Sequence, residues 1–431
     1  MITIEQVNGK DLILFYRDKD NKRYSKINNF NPYFYIESQN GNYTSIFNDK
    51  LKKVIFDDVK QLIKERERYH KHFEGDIPYK NRYLIDNIQI PILKSNLRIL
   101  YLDIETDFSI DWKTADKQIL SITYYDSYDK NYITLILTTF NKTTSNVIYF
   151  NDEKLLLNYF IKDIIKLDPD ILTSWNTTFD FGYLINRCNN LKINFNKISP
   201  LNYTGIDKFN NEIICHGREV FDLLKGYRRL QGSNLESFKL DFVANKELKV
   251  KKLKIDFKHV KEDIIKLIEY NKKDVELIVN LDKKLGIIDF YDNLRRAVGC
   301  TWDTLNYNSN IIDVLLLREA KQNNIILPSK VKTKRERFIG AYVFEPIPGI
   351  HSNVFCFDMK ALYPSIICQF GISPENLTVN GKINLPNKTS YIKQEGFIGN
   401  VILKLISERK KYQDLANEYK SGRIAVSTSL S

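Results

Sequence analysis

Cysteine and histidine are scarce in this sequence, which has five of each among its 431 residues. The cysteines are scattered and form no Cys-x-x-Cys pair, so we expect neither a disulfide scaffold nor a zinc module. The longest run without a charged residue spans positions 361–374, contains two prolines, and is too short to cross a bilayer. No basic segment followed by an apolar one opens the chain, so no signal peptide is expected. These absences predict a soluble, intracellular, cytoplasmic protein.

Glycine and proline are also infrequent, at 17 and 11 residues, and no linker rich in either stands out. No G-x-x-x-x-G-K-[ST] segment occurs, which excludes a P-loop ATPase. The chain does have a hydrophobic fraction of 43% and 65 basic against 53 acidic residues. Its length suits about two to three domains with a sizeable core. The formal charge of +12 favours a polyanionic partner such as nucleic acid, or an acidic membrane surface.

The pattern of apolar residues predicts an α/β fold of mixed α+β type. Residues 1–95 form a β-rich region of short strands followed by a charged helix near 57–69. Beyond them, strands alternate with helices, which is typical of a domain built around one sheet. The predicted strands are 98–107, 118–126, 131–140, 170–176 and one beginning at 355; the predicted helices are 152–167, 181–187, 258–285 and 397–419.

Asp103 and Glu105 lie two residues apart in an apolar strand. Because successive side chains alternate between the two faces of a strand, both carboxylates point one way and Leu102 and Ile104 point the other way. Two neighbouring charges beside apolar sequence are costly unless a cation or hydrogen bonds compensate them. The alternative, a strand end that emerges into solvent, remains open for an isolated Asp-x-Glu.

Two further acidic segments favour a metal site. Tyr270 and Asp274 fall on one helical stripe with Leu277 and Leu281, so the carboxylate faces the apolar side of the helix. Asp180 follows a predicted strand and a polar turn. Four carboxylates can hold two divalent cations about 3.5–4 Å apart, an arrangement suited to displacement at phosphorus. Spacing alone leaves a buried ion pair open as the alternative at Asp274.

The three acidic segments resemble a known set of motifs. Residues 103–105 (D-I-E), 176–180 (N-x-x-F-D) and 270–274 (Y-x-x-x-D) resemble, in this order, the Exo I, Exo II and Exo III motifs of the 3′→5′ proofreading domain of family B DNA polymerases. The resemblance implies a ribonuclease-H-like 3′→5′ exonuclease domain. It also implies Mg²⁺ or Mn²⁺ as cofactor, with two ions per active site.

The same resemblance implies a role for each acidic residue of these motifs. Asp103 would bridge both metal ions. Glu105 and Asp274 would bind the ion that carries the nucleophile, and Asp180 would support the second ion. Tyr270 would orient the attacking water.

A second resemblance lies in the C-terminal part of the chain. Residues 358–367 (DMKALYPSII) resemble motif A of the family B polymerase palm, in which Asp358 would bind both metal ions of the nucleotidyl-transfer site. Residues 338–346 resemble the linker between exonuclease and palm, and residues 407–422 resemble the first fingers helix. The resemblance thus implies a partial polymerase palm and fingers.

Five residues would contact substrates if the resemblance holds. Asn176 and Phe179 would line the path of the single strand. Leu362 and Tyr363 would contact the incoming deoxynucleotide, where Tyr363 would collide with a ribose 2′-hydroxyl. Arg409 would bind the triphosphate, because its forked guanidinium suits phosphate oxygens.

The resemblance divides the chain into four parts. They are an N-terminal domain (1–95), the exonuclease domain (96–300), the linker and start of the palm with motif A (301–395), and the start of the fingers (396–431).

The chain is therefore interpreted as the N-terminal part of a family B DNA-directed DNA polymerase with a two-metal 3′→5′ proofreading exonuclease. The expected partners are DNA, as a single-stranded 3′ end or a primer-template, and deoxynucleoside triphosphates, without a membrane. No K-x-x-x-N-S-x-Y-G or Tyr-x-Asp-Thr-Asp segment occurs, so template-directed nucleotidyl transfer is expected to need a second polypeptide carrying motifs B and C and the thumb, or the missing C-terminal half. A split gene, a truncation and a frameshift product all stay open as origins of the chain.

Two other interpretations stay open. The first is a free-standing 3′→5′ exonuclease with a vestigial palm, against which the presence of motif A argues. The second is a non-catalytic DNA-binding subunit, against which the complete set of exonuclease carboxylates argues.

Overall fold

The computed structural model describes residues 1–18, 20–87, 92, 94–107, 111–139, 146–232, 235–253, 263–330, 342–359, 361–385, 388–392 and 394–420. The chain packs into two compact units. The first comprises Met1–Phe30 and Tyr79–Ile311, and the second comprises Asn31–Pro78 and Ile312–Ser431. The four-part division expected from the sequence stays a prediction.

The described strands, in chain order, are β1 (Ile4–Val7), β2 (Asp11–Arg17), β3 (Arg23–Asn29), β4 (Tyr33–Glu37), β5 (Tyr43–Ser45), β6 (Lys50–Ile55), β7 (Ile99–Thr106), β8 (Ile119–Asp126), β9 (Asn131–Leu137), β10 (Val147–Phe150), β11 (Ile171–Ser174), β12 (Thr204–Ile206), β13 (Ile213–Cys215), β14 (Glu219–Asp222), β15 (Ile325–Ile326), β16 (Leu377–Thr378), β17 (Ile383–Asn384) and β18 (Ser390–Tyr391).

The described α-helices are α1 (Val59–Arg66), α2 (Tyr79–Asp86), α3 (Glu153–Leu167), α4 (Thr177–Asn190), α5 (Leu223–Gln231), α6 (Leu240–Leu248), α7 (Ile264–Leu285), α8 (Ile287–Val298), α9 (Asn308–Gln322), α10 (Leu362–Phe370) and α11 (Phe397–Lys420). The mixed α/β class predicted from the sequence is confirmed. In these described ranges no helix is both long and apolar enough to cross a membrane.

A six-stranded sheet forms the centre of the first unit, in the order β10-β9-β8-β7-β11-β14. The strands β7, β8 and β9 pair antiparallel, whereas β10, β11 and β14 each lie parallel to a neighbour. Every residue of β8 is buried, because side chains of α3 and α4 cover one face of the sheet and α7 packs on the other. A strand covered on both faces loses the alternation of polar and apolar residues, so β8 reads as a strand chiefly through its β-branched and aromatic residues.

Local sequence explains where the flanking helices begin and end. Asp152 caps α3 by accepting a hydrogen bond from the backbone N–H of Leu155, and Asp168 ends the helix in the left-handed conformation with φ 46°. The stripe that includes Phe160 and Ile164 faces the core. Burying a side chain such as Phe160 contributes roughly 1.5–3 kcal/mol, so packing rather than propensity holds this helix.

The long helix α7 carries the third acidic segment. Asp263 caps its first turn by accepting from the backbone N–H of Lys266, and Gly286 ends it with φ 61°. The earlier part of the predicted helix, residues 258–262, lies outside the described residues.

The second unit contains two small sheets, with strand orders β15-β5-β6-β4 and β16-β18-β17. The last helix, α11, spans nearly the range predicted from the sequence. Its neighbour α10 packs against it, and the Cys368 thiol lies 3.5 Å from the carbonyl oxygen of Gly399. Residues 331–341 and 421–431 lie outside the described residues.

Candidate metal centre

The strand β7 presents two carboxylates on one face of the sheet. Leu102 and Ile104 are buried in the core against α3 and α4, whereas Asp103 and Glu105 are only partly buried. Their register against β8 shifts between Glu105 and Thr106. Such an irregularity bends a strand locally and re-aims its side chains, here directly beside the two acidic residues.

The helix α7 brings a third carboxylate to the same face. A hydrogen bond of 2.7 Å from the Tyr101 hydroxyl to Asp282 joins this face of β7 to α7. The ligand oxygens of Asp103, Glu105 and Asp274 all lie within 4.8 Å of one another. Of the described residues, only these three form such a group of possible metal ligands.

Asp180 is supplied by the first turn of α4, and it is buried. It lies close enough for its charge to raise the pKa of Asp103 and Glu105. Its oxygens are not part of the group within 4.8 Å. The structure therefore brings three of the four predicted ligands together and places the fourth at the margin of the group.

A single carboxylate holds the helix that carries Asp180. Asp222 accepts hydrogen bonds of 2.9 Å from both the backbone N–H and the hydroxyl of Thr177, at the start of α4. Its other oxygen accepts from the backbone N–H of Lys225, at the start of α5. Asp222 thus accepts hydrogen bonds from the first turns of two helices at once.

The electrostatics of the group is dominated by burial and by repulsion between like charges. Burial, followed by the charges of Asp274, Glu105 and Asp180, raises the pKa of Asp103 well above its ordinary value. Burial and the charge of Asp274 raise the pKa of Glu105 to about 8. Burial raises the pKa of Asp180 to about 7. Without a cation, the group therefore retains protons that ordinary carboxyl groups have already lost near neutral pH.

One cationic side chain already lies in the group, and the sequence offered no sign of it. The ammonium nitrogen of Lys252 lies 2.6 Å from an oxygen of Asp274 and 4.6 Å from the centre of the Tyr270 ring. Burial lowers the pKa of Lys252, but the carboxylates outweigh that effect and raise it. Although burial raises the pKa of Asp274, the lysine offsets part of the rise and leaves it at about 6. Lys252 sits in an irregular stretch after α6, where no periodicity signals its direction.

The remaining predicted residues of the nuclease motifs lie nearby on the same helices. Tyr270 is buried one turn before Asp274 on α7, and burial raises its pKa. Asn176 is exposed and caps α4 by accepting a hydrogen bond from the backbone N–H of Phe179. The Phe179 ring is partly buried against Tyr183, with ring centres 6.0 Å apart. The roles predicted for Tyr270, Asn176 and Phe179 remain predictions.

The predicted polymerase residues are arranged differently. Asp358 is exposed, and the prediction of a strand beginning at 355 is wrong: residues 354–359 form no strand, and Phe355 and Phe357 are more than 80% exposed. The physical reason is that a strand requires a partner for its backbone groups, and no described strand pairs with this segment. Leu362 and Tyr363 open α10 with exposed side chains, and Arg409 lies exposed on α11.

Comparisons with known proteins bear on both parts of the chain. Residues 58–243 match the family described as DNA polymerase family B, exonuclease domain. Residues 303–425 match the family described as DNA polymerase family B. The first match includes Asp103, Glu105 and Asp180 and is consistent with the predicted ribonuclease-H-like fold; Asp274 lies beyond it and joins the group through the geometry.

Individual relatives point in the same direction. The DNA polymerase of Thermococcus gorgonarius is 29% identical over an alignment that covers 82% of this chain and 48% of that protein. The DNA-directed DNA polymerase of Escherichia phage RB69 is 26% identical, with 96% of this chain and 53% of that protein covered. The chain thus spans about half the length of the curated relatives it matches.

Proposed function

The chain belongs to DNA polymerase family B, and from that membership we propose that its first unit removes nucleotides from the 3′ end of single-stranded DNA with the help of two divalent cations. The observation that carries the proposal is the convergence of Asp103, Glu105 and Asp274 within 4.8 Å from two separate elements of the fold.

The chemistry of these side chains fits Mg²⁺ or Mn²⁺. Carboxylate oxygens are the ligands that hard divalent cations prefer. Oδ1 of Asp274 is buried and has no hydrogen-bond partner within the described part of the chain, so it is available to a cation. A pair of cations bound here would lower the pKa of the attacking water and stabilise the leaving oxygen. The carboxyl groups would give up protons as cations bind, because a ligating carboxylate must be ionised.

The chain's own residues have separate tasks in this proposal. The Tyr270 hydroxyl would orient the attacking water. The Phe179 ring and the Asn176 amide, near the start of α4, would hold the 3′-terminal nucleotides. Lys252 neutralises part of the negative charge that would otherwise repel the phosphate backbone. A lysine also binds a phosphate oxygen well as a point charge. Lys252 would therefore contact either the Asp274 carboxylate or a phosphate of the DNA.

The test uses the full chain and a single-stranded oligonucleotide labelled at its 5′ end, with Mg²⁺ or Mn²⁺. A ladder that shortens from the 3′ end is expected. Asp103→Asn combined with Glu105→Gln should slow it at least about a thousandfold, because several kcal/mol of transition-state stabilisation are removed and each 1.36 kcal/mol is tenfold in rate.

Asp289→Asn is the matched control, since Asp289 is exposed on the neighbouring helix α8. It should leave the ladder unchanged. The proposed function is wrong if the folded wild-type chain trims no DNA under either cation. It is also wrong if the double variant trims as fast as the wild type.

For the second unit, we propose the start of a polymerase palm and fingers. Asp358 would be one metal ligand of the nucleotidyl-transfer site, Leu362 and Tyr363 would contact the deoxynucleotide, and Arg409 would contact its triphosphate. Support comes from the family match over residues 303–425. The activity of the whole protein, template-directed DNA synthesis, would need further carboxylates, because no group of possible metal ligands includes Asp358 among the described residues.

Primer extension tests this part of the proposal. Mixing the chain with a candidate polypeptide that carries motifs B and C and the thumb should produce extension with deoxynucleoside triphosphates, and Asp358→Ala should abolish it. Extension that survives Asp358→Ala would show that Asp358 is not a ligand of the polymerising site.

A further inference from the structure

Asn271 follows Tyr270 directly in α7 and belongs to none of the predicted ligand sets. Its side chain is fully buried, with no exposed area. The amide nitrogen donates a hydrogen bond of 2.7 Å to Oδ2 of Asp103. The amide oxygen accepts one of 2.8 Å from the hydroxyl of Ser121, which is also fully buried. A chain of two hydrogen bonds therefore runs from β8 through α7 to β7.

The register of the sheet explains why this amide is needed. Ser121 pairs directly with Glu105, and Thr123 pairs directly with Asp103. The Thr123 hydroxyl, however, lies 2.9 Å from the hydroxyl of Thr134 on β9 and is engaged there. Asp103 therefore receives its side-chain hydrogen bond from α7 instead of from its own cross-strand neighbour.

The two hydrogen bonds also fix the orientation of the amide. An amide can rotate by 180° and exchange its oxygen with its nitrogen. A metal-ligating carboxylate at Asp103 is ionised and accepts only from the nitrogen, so Ser121 donates to the oxygen. With both ends engaged, the amide holds Oδ2 of Asp103, whose carboxylate has a ligand oxygen within 4.8 Å of those of Glu105 and Asp274.

We propose that Asn271 is a positioning residue for Asp103 and that Ser121 acts through it, so that together they set the affinity of the carboxylate group for divalent cations. The proposal rests on the proposed function, since it concerns the same group. Residues that hydrogen-bond to metal ligands orient them, and removing such a partner costs about 10- to 100-fold in metal affinity or activity.

The test measures cation binding by calorimetry with the full chain, without DNA, and adds the kinetics of trimming. Asn271→Leu should weaken the binding of Mn²⁺ about 10- to 100-fold. It should lower kcat at fixed Mn²⁺ with little change in the KM for DNA, because the Asn271 side chain is fully buried. Ser121→Ala should weaken binding about 2- to 10-fold, as expected for one lost hydrogen bond.

The double variant separates positioning from a general structural effect. Because Ser121 acts only through Asn271, Ser121→Ala should have no further effect on Mn²⁺ binding once Asn271→Leu is present. Thr123→Val is the matched control: it removes a buried hydroxyl from the same strand, but one that bonds to Thr134. It should leave Mn²⁺ binding unchanged, and Ser121→Ala keeps the test valid even if Asn271→Leu fails to fold.

The outcomes distinguish this inference from the proposed function. If the wild-type chain binds no Mn²⁺ and trims no DNA, the proposed function has failed. Suppose instead that the wild type binds Mn²⁺. If the affinities of Ser121→Ala and of folded Asn271→Leu for Mn²⁺ are then within twofold of the wild-type affinity, the positioning role is wrong. Additive effects of the two substitutions would also overturn it, as would a loss on Thr123→Val equal to that on Ser121→Ala.

Discussion

The two acidic regions of this chain contrast in how much structure surrounds them. In the first unit, Asp103 and Glu105 extend from a strand paired on both sides. The helix α7 adds Asp274 and also Asn271, which donates a hydrogen bond to Asp103. In the second unit, Asp358 is exposed in a segment without strand pairing. The comparison teaches that two motifs of similar clarity in the sequence can differ widely in how firmly surrounding elements hold their side chains. A group of carboxylates held in advance needs little reorganisation when a cation binds.

The largest effect expected from the contrast between the two regions is on nuclease activity. Asp274→Asn removes one charge from the group, and we expect trimming of single-stranded DNA to slow about 100- to 1000-fold. Asp358→Asn should leave the same rate within about twofold. Parallel rate measurements at saturating Mg²⁺ check both variants. Equal losses would mean that the two regions act in one reaction and that the contrast is mistaken.

The next effect concerns stability against pH in the absence of metal. The pKa values of Glu105, Asp180 and Asp274 are raised to about 8, 7 and 6, above those of an unfolded chain near 4. The folded state therefore binds more protons than the unfolded state, and these groups destabilise the fold progressively as the pH rises through about 4 to 8.

We expect the free energy of unfolding of the first unit in EDTA to fall across that range, by up to about 1.4 kcal/mol for each unit by which a pKa is raised in the folded state. Saturating Mg²⁺ should recover stability at pH 8, because it binds only the folded state. Urea unfolding at several pH values, with and without Mg²⁺, measures both effects. Glu105→Gln should reduce the pH dependence, and a dependence of the opposite sign would refute the assignment.

A smaller effect is expected from the lysine in the group. Lys252→Met leaves Asp274 without its counter-charge, and metal-free chain should lose about 1–2 kcal/mol of stability. This is less than the 3–5 kcal/mol typical of a fully buried pair, because the Lys252 side chain is 26% exposed and solvent screens it. Lys266→Met, on an exposed position of α7, is the control. The deficit should shrink in Mg²⁺; a deficit that Mg²⁺ leaves unchanged would argue for lost packing instead.

The smallest effect is expected in the second unit. Phe357 is 87% exposed, so Phe357→Ser should change the free energy of unfolding by less than about 0.5 kcal/mol. Phe34, fully buried in the same unit, provides the contrast, and Phe34→Ser should destabilise clearly. Thermal unfolding followed by circular dichroism compares the two. A loss above about 1 kcal/mol for Phe357→Ser would mean that this ring is packed.

The sequence predicted the supporting elements of the candidate metal centre because their patterns are local. Period-2 alternation was sufficient to put Asp103 and Glu105 on one face of β7, and helical spacing was sufficient to turn Asp274 toward the apolar side of α7. The same reasoning was wrong at Phe355 and Phe357. Their alternation is that of a strand, but pairing depends on a neighbour that the pattern does not contain.

By itself, the sequence determined the mixed α/β class, the family, and which carboxylates share a face, since these follow from side-chain periodicity and motif order along the chain. Only the tertiary structure decided that Lys252 meets Asp274, and that Ser121 and Asn271, 150 residues apart, join in holding Asp103. It also decided that burial and repulsion raise the pKa values of the group. Distances between segments far apart in sequence, and the dielectric environment they create, arise only when the sheet and α7 pack against each other, and no local pattern encodes them.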